Sequence, residues 1–199
     1  SYSTLVFPSL WAKWVQTDDL LYPRRATGVT LELRGGSTAL GSDIDFVQAS
    51  AKGHWIRGIG RRDRLLLRAE AGTTVSDDFA LFPPSLRFYA GGDRSVRGYG
   101  YKEIGQYFED VNGDRYVFGG KHLLVASVEY ERMFTREWGG AVFVDAGDAF
   151  DSFDAYEWEV GIGVGVRWRS PVGPVRVDVA HGLGDAAQSS VRLHFNIGP

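Results

Sequence analysis

The segment Gly91-Gly92-Asp93-Arg94-Ser95-Val96-Arg97-Gly98-Tyr99 is the part of this chain whose residue types suit chemistry that depends on close approach. Glycine adopts backbone conformations closed to other residues and lets another chain come near, so Gly91, Gly92 and Gly98 allow Arg97 to fold against other backbone. By composition alone, an arginine in such a loop is a solvated surface residue. Its planar guanidinium gains importance if it meets a carboxylate away from bulk water, where it donates two bonds to one acid and stays protonated. Two downstream acids lie in alternating segments that give them a definite face. Asp145 shares parity with Ala141, Phe143 and Gly147 and opposes Val142 and Val144, while Glu129 goes with Ser127 and Glu131. A partly shielded carboxylate at such a position needs a partner or hydrogen bonds to stay charged without a large cost.

Other chemistries find little support. Asp110-Val111-Asn112-Gly113-Asp114 resembles the start of a calcium loop, but Arg115 stands at the sixth position, where the loop turns on glycine, and Lys121 at the twelfth, where it needs Glu, so the segment reads as a turn. His54, His122, His181 and His194 fall in four different segments without ligand spacing, and cysteine is absent, so no metal and no cofactor is expected. No Gly-x-Ser-x-Gly elbow or local Ser-His-Asp signature occurs, so no enzyme activity is expected. The formal net charge of −3, with Lys and Arg spread along the chain, offers no basic field for nucleic acid.

The elements that position these residues read as strands. From Trp158 to Arg169 the side chains sort by parity: Trp158, Val160, Ile162, Val164, Val166 and Trp168 share one face, and Glu159, Gly161, Gly163, Gly165, Arg167 and Arg169 the other. The same split recurs in Val175, Val177 and Val179 against Arg176 and Asp178, and in Val191, Leu193, Phe195 and Ile197 against Arg192, His194 and Asn196. Upstream, Val29, Leu31 and Leu33 oppose Thr30, Glu32 and Arg34; Leu65, Leu67, Ala69 and Ala71 oppose Arg64, Arg68 and Glu70, with Leu66 an exception. Further strands fit 44–57, 121–134 and 139–149, and a first one around 4–16 has ambiguous parity.

Connections alternate in length. Short ones fall near 58–62, 135–137 and 170–174, and long ones near 35–43, 75–120, 149–157 and 182–190; the Leu20-to-Gly28 connection fits least well. Short turns at one end and long loops at the other are the habit of an outer-membrane barrel. No run of about 18 uncharged apolar residues makes a spanning helix, but a barrel wall needs only every second residue apolar. Trp158 and Trp168 are ten positions apart. At about 3.3 Å per residue that is roughly 33 Å, and a ~40° tilt projects it onto about 25 Å, the height of the apolar band between aromatic girdles. Glycine interleaved with Arg and Glu on the opposite face would make a poor sandwich core and suits a polar lumen. The expected fold is an all-β, antiparallel transmembrane barrel with about nine strands here. An odd count leaves direct antiparallel closure impossible, so the chain is expected to be incomplete at its N-terminus and to pair through its open strand edges.

Three motifs then become recognisable. Phe88-Tyr89-Ala90-Gly91-Gly92-Asp93-Arg94-Ser95-Val96-Arg97-Gly98-Tyr99 resembles the loop-six signature of the outer-membrane protein assembly superfamily, whose core is Val-Arg-Gly-Phe or Val-Arg-Gly-Tyr. Phe143-Val144-Asp145-Ala146-Gly147 matches the family's thirteenth-strand pattern, and Ser170-Pro171-Val172-Gly173-Pro174 the turn before its penultimate strand. The resemblance covers essentially the whole chain, residues 1–199, as the last nine or so of sixteen strands. Leu21-Tyr22-Pro23-Arg24-Arg25 and the terminal Phe195-Asn196-Ile197-Gly198-Pro199 resemble the translocation and assembly module type more than the essential assembly factor.

The resemblance implies that loop six, 75–120, folds into the lumen and that Arg97, within Val96-Arg97-Gly98-Tyr99, pairs with an acid on the wall. Asp145 is the expected partner and Glu129 a second candidate. It also implies that the periplasmic POTRA domains and the first strands lie outside these residues. The implied activity is insertion or secretion of other proteins at the outer membrane of a Gram-negative bacterium, without nucleotide, through a lateral seam between first and last strands. Membrane lipid, unfolded outer-membrane clients and a periplasm-spanning partner protein are the implied partners. Val191, Leu193, Phe195 and Ile197 resemble the C-terminal signal by which such barrels are themselves recognised. A two-partner secretion pore, the essential assembly subunit and a passive channel are the alternative functions; an open lumen with the loop outside would favour the last.

Overall fold

In a strand whose two faces meet lipid and water, apolar and polar residues must alternate, and the structure follows that rule strand by strand. A computed structural model describes residues 4–184, 186 and 191–198. Nine long strands form one antiparallel sheet: β1 (Ser9–Thr17), β2 (Arg25–Gly36), β3 (Phe46–Ile59), β4 (Asp63–Ser76), β7 (His122–Met133), β8 (Trp138–Phe150), β9 (Glu159–Ser170), β10 (Gly173–Gly182) and β11 (Arg192–Ile197). Each pairs with its sequence neighbours, except that β4 pairs with β7 across a long excursion. The excursion carries a feature absent from the sequence reading, a small hairpin of β5 (Tyr107–Glu109) and β6 (Arg115–Val117). Asp110 to Asp114, the calcium-loop lookalike, is its turn, with Asp110 Oδ1 accepting from the Asn112 and Asp114 N–H groups. Helical structure among the described residues is confined to three single turns of three residues.

The outward face carries Val29, Leu31, Leu33, Val142, Val144, Ile162, Val164, Val166, Val179, Leu193 and Phe195, all exposed. Val191 and Ile197 are exposed as well, at the two ends of the last strand. At the short-turn end Trp14, Trp55, Tyr130 and Trp138 form an outer aromatic belt, with Trp138 stacked on Trp168 at 5.5 Å between centroids; Phe153 and Trp158 lie at the other end. Register resolves the ambiguous first strand: Leu10 lies across from Leu33, Ala12 from Leu31 and Trp14 from Val29, so these three face outward. Leu66 is the exception the alternation marked, an apolar side chain that faces inward between Arg64 and Arg68 and is buried. The first turn is shorter than expected because β2 begins at Arg25, directly after Asp18 Oδ1 accepts the N–H groups of Arg24 and Arg25.

The sheet curls until the turn between β1 and β2 touches the turn between β9 and β10. Tyr22 Oη donates to the Ser170 carbonyl at 3.2 Å, and the Arg169 guanidinium lies 5.1 Å from the Tyr22 ring centroid. Among the described residues no ladder joins β1 to β11. The apolar core sits inside the curl, where Val96, Tyr99 and Ile104 of the 77–121 segment pack on Leu123, Val125 and Ala149 of the wall. A second cluster, Ile44, Phe46 and Phe82, fills the mouth at the long-loop end. Of the connection expected at 182–190, residues 185 and 187–190 lie outside the described residues, as does Pro199 of the terminal segment.

Candidate functional site

The interior faces of β4, β7, β8, β9 and β10 bring charges together through register. Ser127 lies across from Asp145, Glu129 from Phe143, Asp145 from Gly161, and Asp178 from Gly165. Inward parity therefore stacks Glu129 and Glu131 on β7, Asp145 on β8, Arg167 on β9 and Asp178 on β10 within reach of one another, and all five are buried.

Into this wall comes Arg97 from the 77–121 segment. Its Nε donates to Asp145 Oδ2 at 2.7 Å and its Nη2 to Oδ1 at 3.0 Å, a two-bond fork, while its backbone N–H reaches Oδ2 at 3.0 Å. Its Nη1 donates to Glu129 Oε2 at 2.6 Å and to Asp178 Oδ2 at 3.0 Å. The guanidinium carbon lies 3.4 Å from the Phe143 ring centroid, so the cation also meets an aromatic face. Arg97 is 4 % exposed and Asp145 0 %. Both acids singled out in the sequence thus lie beside Arg97.

Sequence reasoning placed Arg167, Asp178, Glu131, Arg64 and Arg68 on the right face but did not connect them. Arg167 donates to Glu131 Oε1 at 2.9 Å, Glu129 Oε1 at 2.7 Å and Asp178 Oδ1 at 2.5 Å. Arg64 pairs with Glu131, and Arg68 lies 3.6 Å from Asp145. Four carboxylates and four guanidiniums are interleaved, and each carboxylate is shared by two arginines. Burying a charge is costly unless it is paired and hydrogen-bonded, and this arrangement meets both demands. Seven of the eight groups belong to the wall. Without Arg97, Asp145 has no side-chain partner closer than Arg68 at 3.6 Å, so the wall presents a seat, a buried carboxylate that the loop arginine completes.

The inward glycines of β9 shape that seat. A Cβ at Gly161 would overlap the Arg97 carbonyl oxygen, one at Gly163 the Phe143 ring, and one at Gly165 the Asp178 carboxylate. Their place in the sequence is the signal that reports it. Gly98 is needed on two counts: its φ is +95°, and a Cβ would lie 2.7 Å from the Gly182 nitrogen of β10. Gly91 and Gly92, at φ +97° and +104°, turn the chain before the motif, where Gly92 N–H donates to the Val96 carbonyl. Val96 is buried, and Tyr99 Oη donates to the Val160 carbonyl at 3.1 Å and accepts from Gly184 N–H at 2.9 Å. Burial pushes the Tyr99 phenol up to about 12, so it stays protonated as a donor. The segment lies against β7 to β11 and leaves a cavity of about 960 Å³ along β2 to β4, lined by Glu32, Arg34, Gln48, Lys52 and Glu70 among others. Among the described residues no group of His, Asp and Glu is arranged to hold a metal ion. The arrangement binds and positions the loop arginine.

The Omp85 superfamily domain matches residues 8–199 of this chain. The outer membrane protein assembly factor BamA of Nitratidesulfovibrio vulgaris is 28 % identical over 191 residues, covering 92 % of this chain and 24 % of that protein. BamA of Neisseria meningitidis serogroup B is 25 % identical over 221 residues, covering 92 % of this chain and 27 % of its own length. The chain thus spans about a quarter of the length of these relatives. In fold it is similar to the crystal structure of BamA from Haemophilus ducreyi lacking POTRA domains 1–3, with a TM-score of 0.78 at 19 % identity over 96 % of this chain and 42 % of that one.

Proposed function

Since the chain belongs to the Omp85 superfamily, we propose that it forms the C-terminal wall and interior loop of a barrel that inserts other barrel proteins. It is an outer-membrane protein of a Gram-negative bacterium, as its BamA relatives are. The observation that carries the reading against a passive channel is Arg97 inside the curl, bonded to Asp145, Glu129 and Asp178 of the wall. Insertion in this reading uses no catalytic residue and no nucleotide. It uses a strand edge that templates client strands by β-augmentation, beside lipid.

Within the superfamily two finer readings compete. Leu21-Tyr22-Pro23-Arg24-Arg25 resembles the translocation and assembly type, whose clients would be autotransporters and whose helper would span the periplasm. The relatives matched above are assembly factors, which favours barrel assembly as the role. The Tyr22 to Arg24 segment also has a plain structural use: the Pro23 carbonyl accepts from Arg64, and Arg24 donates to the carbonyls of Gly60 and Arg61.

The test is insertion of an unfolded outer-membrane barrel client into liposomes carrying the full-length protein, followed by protease protection. Faster insertion than in empty liposomes, lost in Arg97→Ala, is the expected result. Ion conductance without any acceleration would refute the proposal and leave a passive channel.

A further inference from the structure

The last strand is the least anchored element of the sheet by backbone alone. β11 is six residues long, pairs only with β10 from Val175↔Ile197 to Ala180↔Arg192, and carries no ladder on its other edge among the described residues. Its outward side chains Leu193 and Phe195 are exposed. Its inward side chains do something else. His194, 7 % exposed, has both ring nitrogens engaged by the loop: Nε2 accepts from Gly98 N–H at 3.1 Å, and Nδ1 meets the Asp93 carboxylate. Accepting at Nε2 leaves the proton on Nδ1, where it is donated to Asp93, so one tautomer satisfies both contacts. Two residues earlier on the strand, Arg192 donates to Glu103 Oε1 at 2.6 Å, and Glu103 also accepts from Gly100 N–H.

These contacts bracket the arginine motif. Asp93 precedes it, Gly98 follows Arg97 directly, and Glu103 lies five residues beyond Gly98. Arg97 is fixed to β7, β8 and β10, while its next neighbour is fixed to β11. Gly98 also sits close against β10, where a Cβ on it would lie 2.7 Å from the Gly182 nitrogen. Loop seating and the position of the last strand are therefore joined through one peptide unit.

We propose that His194 and Arg192 are positioning residues, a clasp through which the seated loop holds the edge strand β11, so that loop release and release of that edge form one coupled equilibrium. The inference rests on the insertion reading above, since it names what governs the strand edge offered to a client. A released Arg97 would take Gly98 with it, remove the Nε2 bond and leave β11 held by its short ladder to β10. Conversely, a client strand that draws β11 outward would pull on the peptide that seats Arg97.

The experiment is hydrogen–deuterium exchange on the full-length protein in lipid nanodiscs, reading residues 192–197 and 96–99 separately, with β7 to β9 as the control for folding. His194→Ala is expected to speed exchange in both segments about ten- to hundredfold, the range for losing a hydrogen bond to a charged group, with the control unchanged. His194→Gln, whose amide can still accept from Gly98, is expected to recover part of the protection. Arg192→Glu is expected to loosen both segments, and adding Glu103→Arg to restore them, which tests the clasp even if His194→Ala fails to fold. Faster exchange in 192–197 alone, or an Arg97→Ala variant that loosens 96–99 while β11 stays protected, would overturn the proposal. Client insertion is measured apart from exchange. Coupled exchange without insertion would refute the function proposed above and keep the clasp, and insertion with uncoupled exchange would do the reverse.

Discussion

Replacing Arg97 by alanine leaves three arginines facing four buried carboxylates. Asp145, fully buried, loses its two-bond partner and keeps the backbone N–H of residue 97 and Arg68 at 3.6 Å, whereas Glu129 and Asp178 each keep Arg167. Breaking a buried pair from one side costs ~3–5 kcal/mol, and the backbone N–H that Asp145 keeps argues for the lower end. At about 1.4 kcal/mol per factor of ten, the backbone of 96–99 should open roughly a hundredfold more often, readable as amide exchange. Asp145→Ala produces the opposite imbalance, four cations against three acids. The double variant returns to three against three, so its effect should fall short of the sum of the singles by about 1–3 kcal/mol. Thermal unfolding of the sheet should change less than loop exchange, because the wall pairs of Arg167 and Arg64 remain. Additive effects, or exchange altered by less than about threefold in Arg97→Ala, would refute the reasoning that this cation completes the seat.

Two further substitutions test the geometry around that seat. Gly161→Val puts a side chain where the Arg97 carbonyl lies, so the loop should be displaced at a cost of about 1–3 kcal/mol while strand exchange stays slow. A structure of that variant with Arg97 still bonded to Asp145 would count against it. Val164→Arg, on the outward face of β9 where the valine is 58 % exposed, should destabilise the protein in lipid by roughly 2–4 kcal/mol if it meets the bilayer midplane. Denaturant titration in bilayers measures this, and a change below about 0.5 kcal/mol would mean that this face does not meet lipid.

Much of this was legible before any coordinates. A period of two has one consequence, that neighbours face opposite ways, and it sorted β2, β8, β9, β10 and β11 into outer and inner faces residue by residue. It placed Asp145 and Glu129 inward and Val164 outward, and the tryptophan spacing on β9 suggested the membrane. Where alternation lapsed, at Leu66 and along β1, parity gave no answer, and only the partner strand's register supplied one. The β5–β6 hairpin was hidden because each of its strands is three residues long, too short for a period to show.

Alternation along the chain determined which face each side chain takes, since that depends only on the neighbouring peptide units. Which inward charges meet was decided by register between strands and by the path of a long loop, neither of which is a local property. Arg167 and Asp178 looked like ordinary lumen residues until β9 and β10 were laid side by side and Gly165 opened the space between them. His194 was one of four scattered histidines, and Asp93, a hundred and one residues away, gave no sign of pairing with it. The loop arginine meets Asp145, Glu129 and Asp178 together only because three wall strands have aligned those acids at one level.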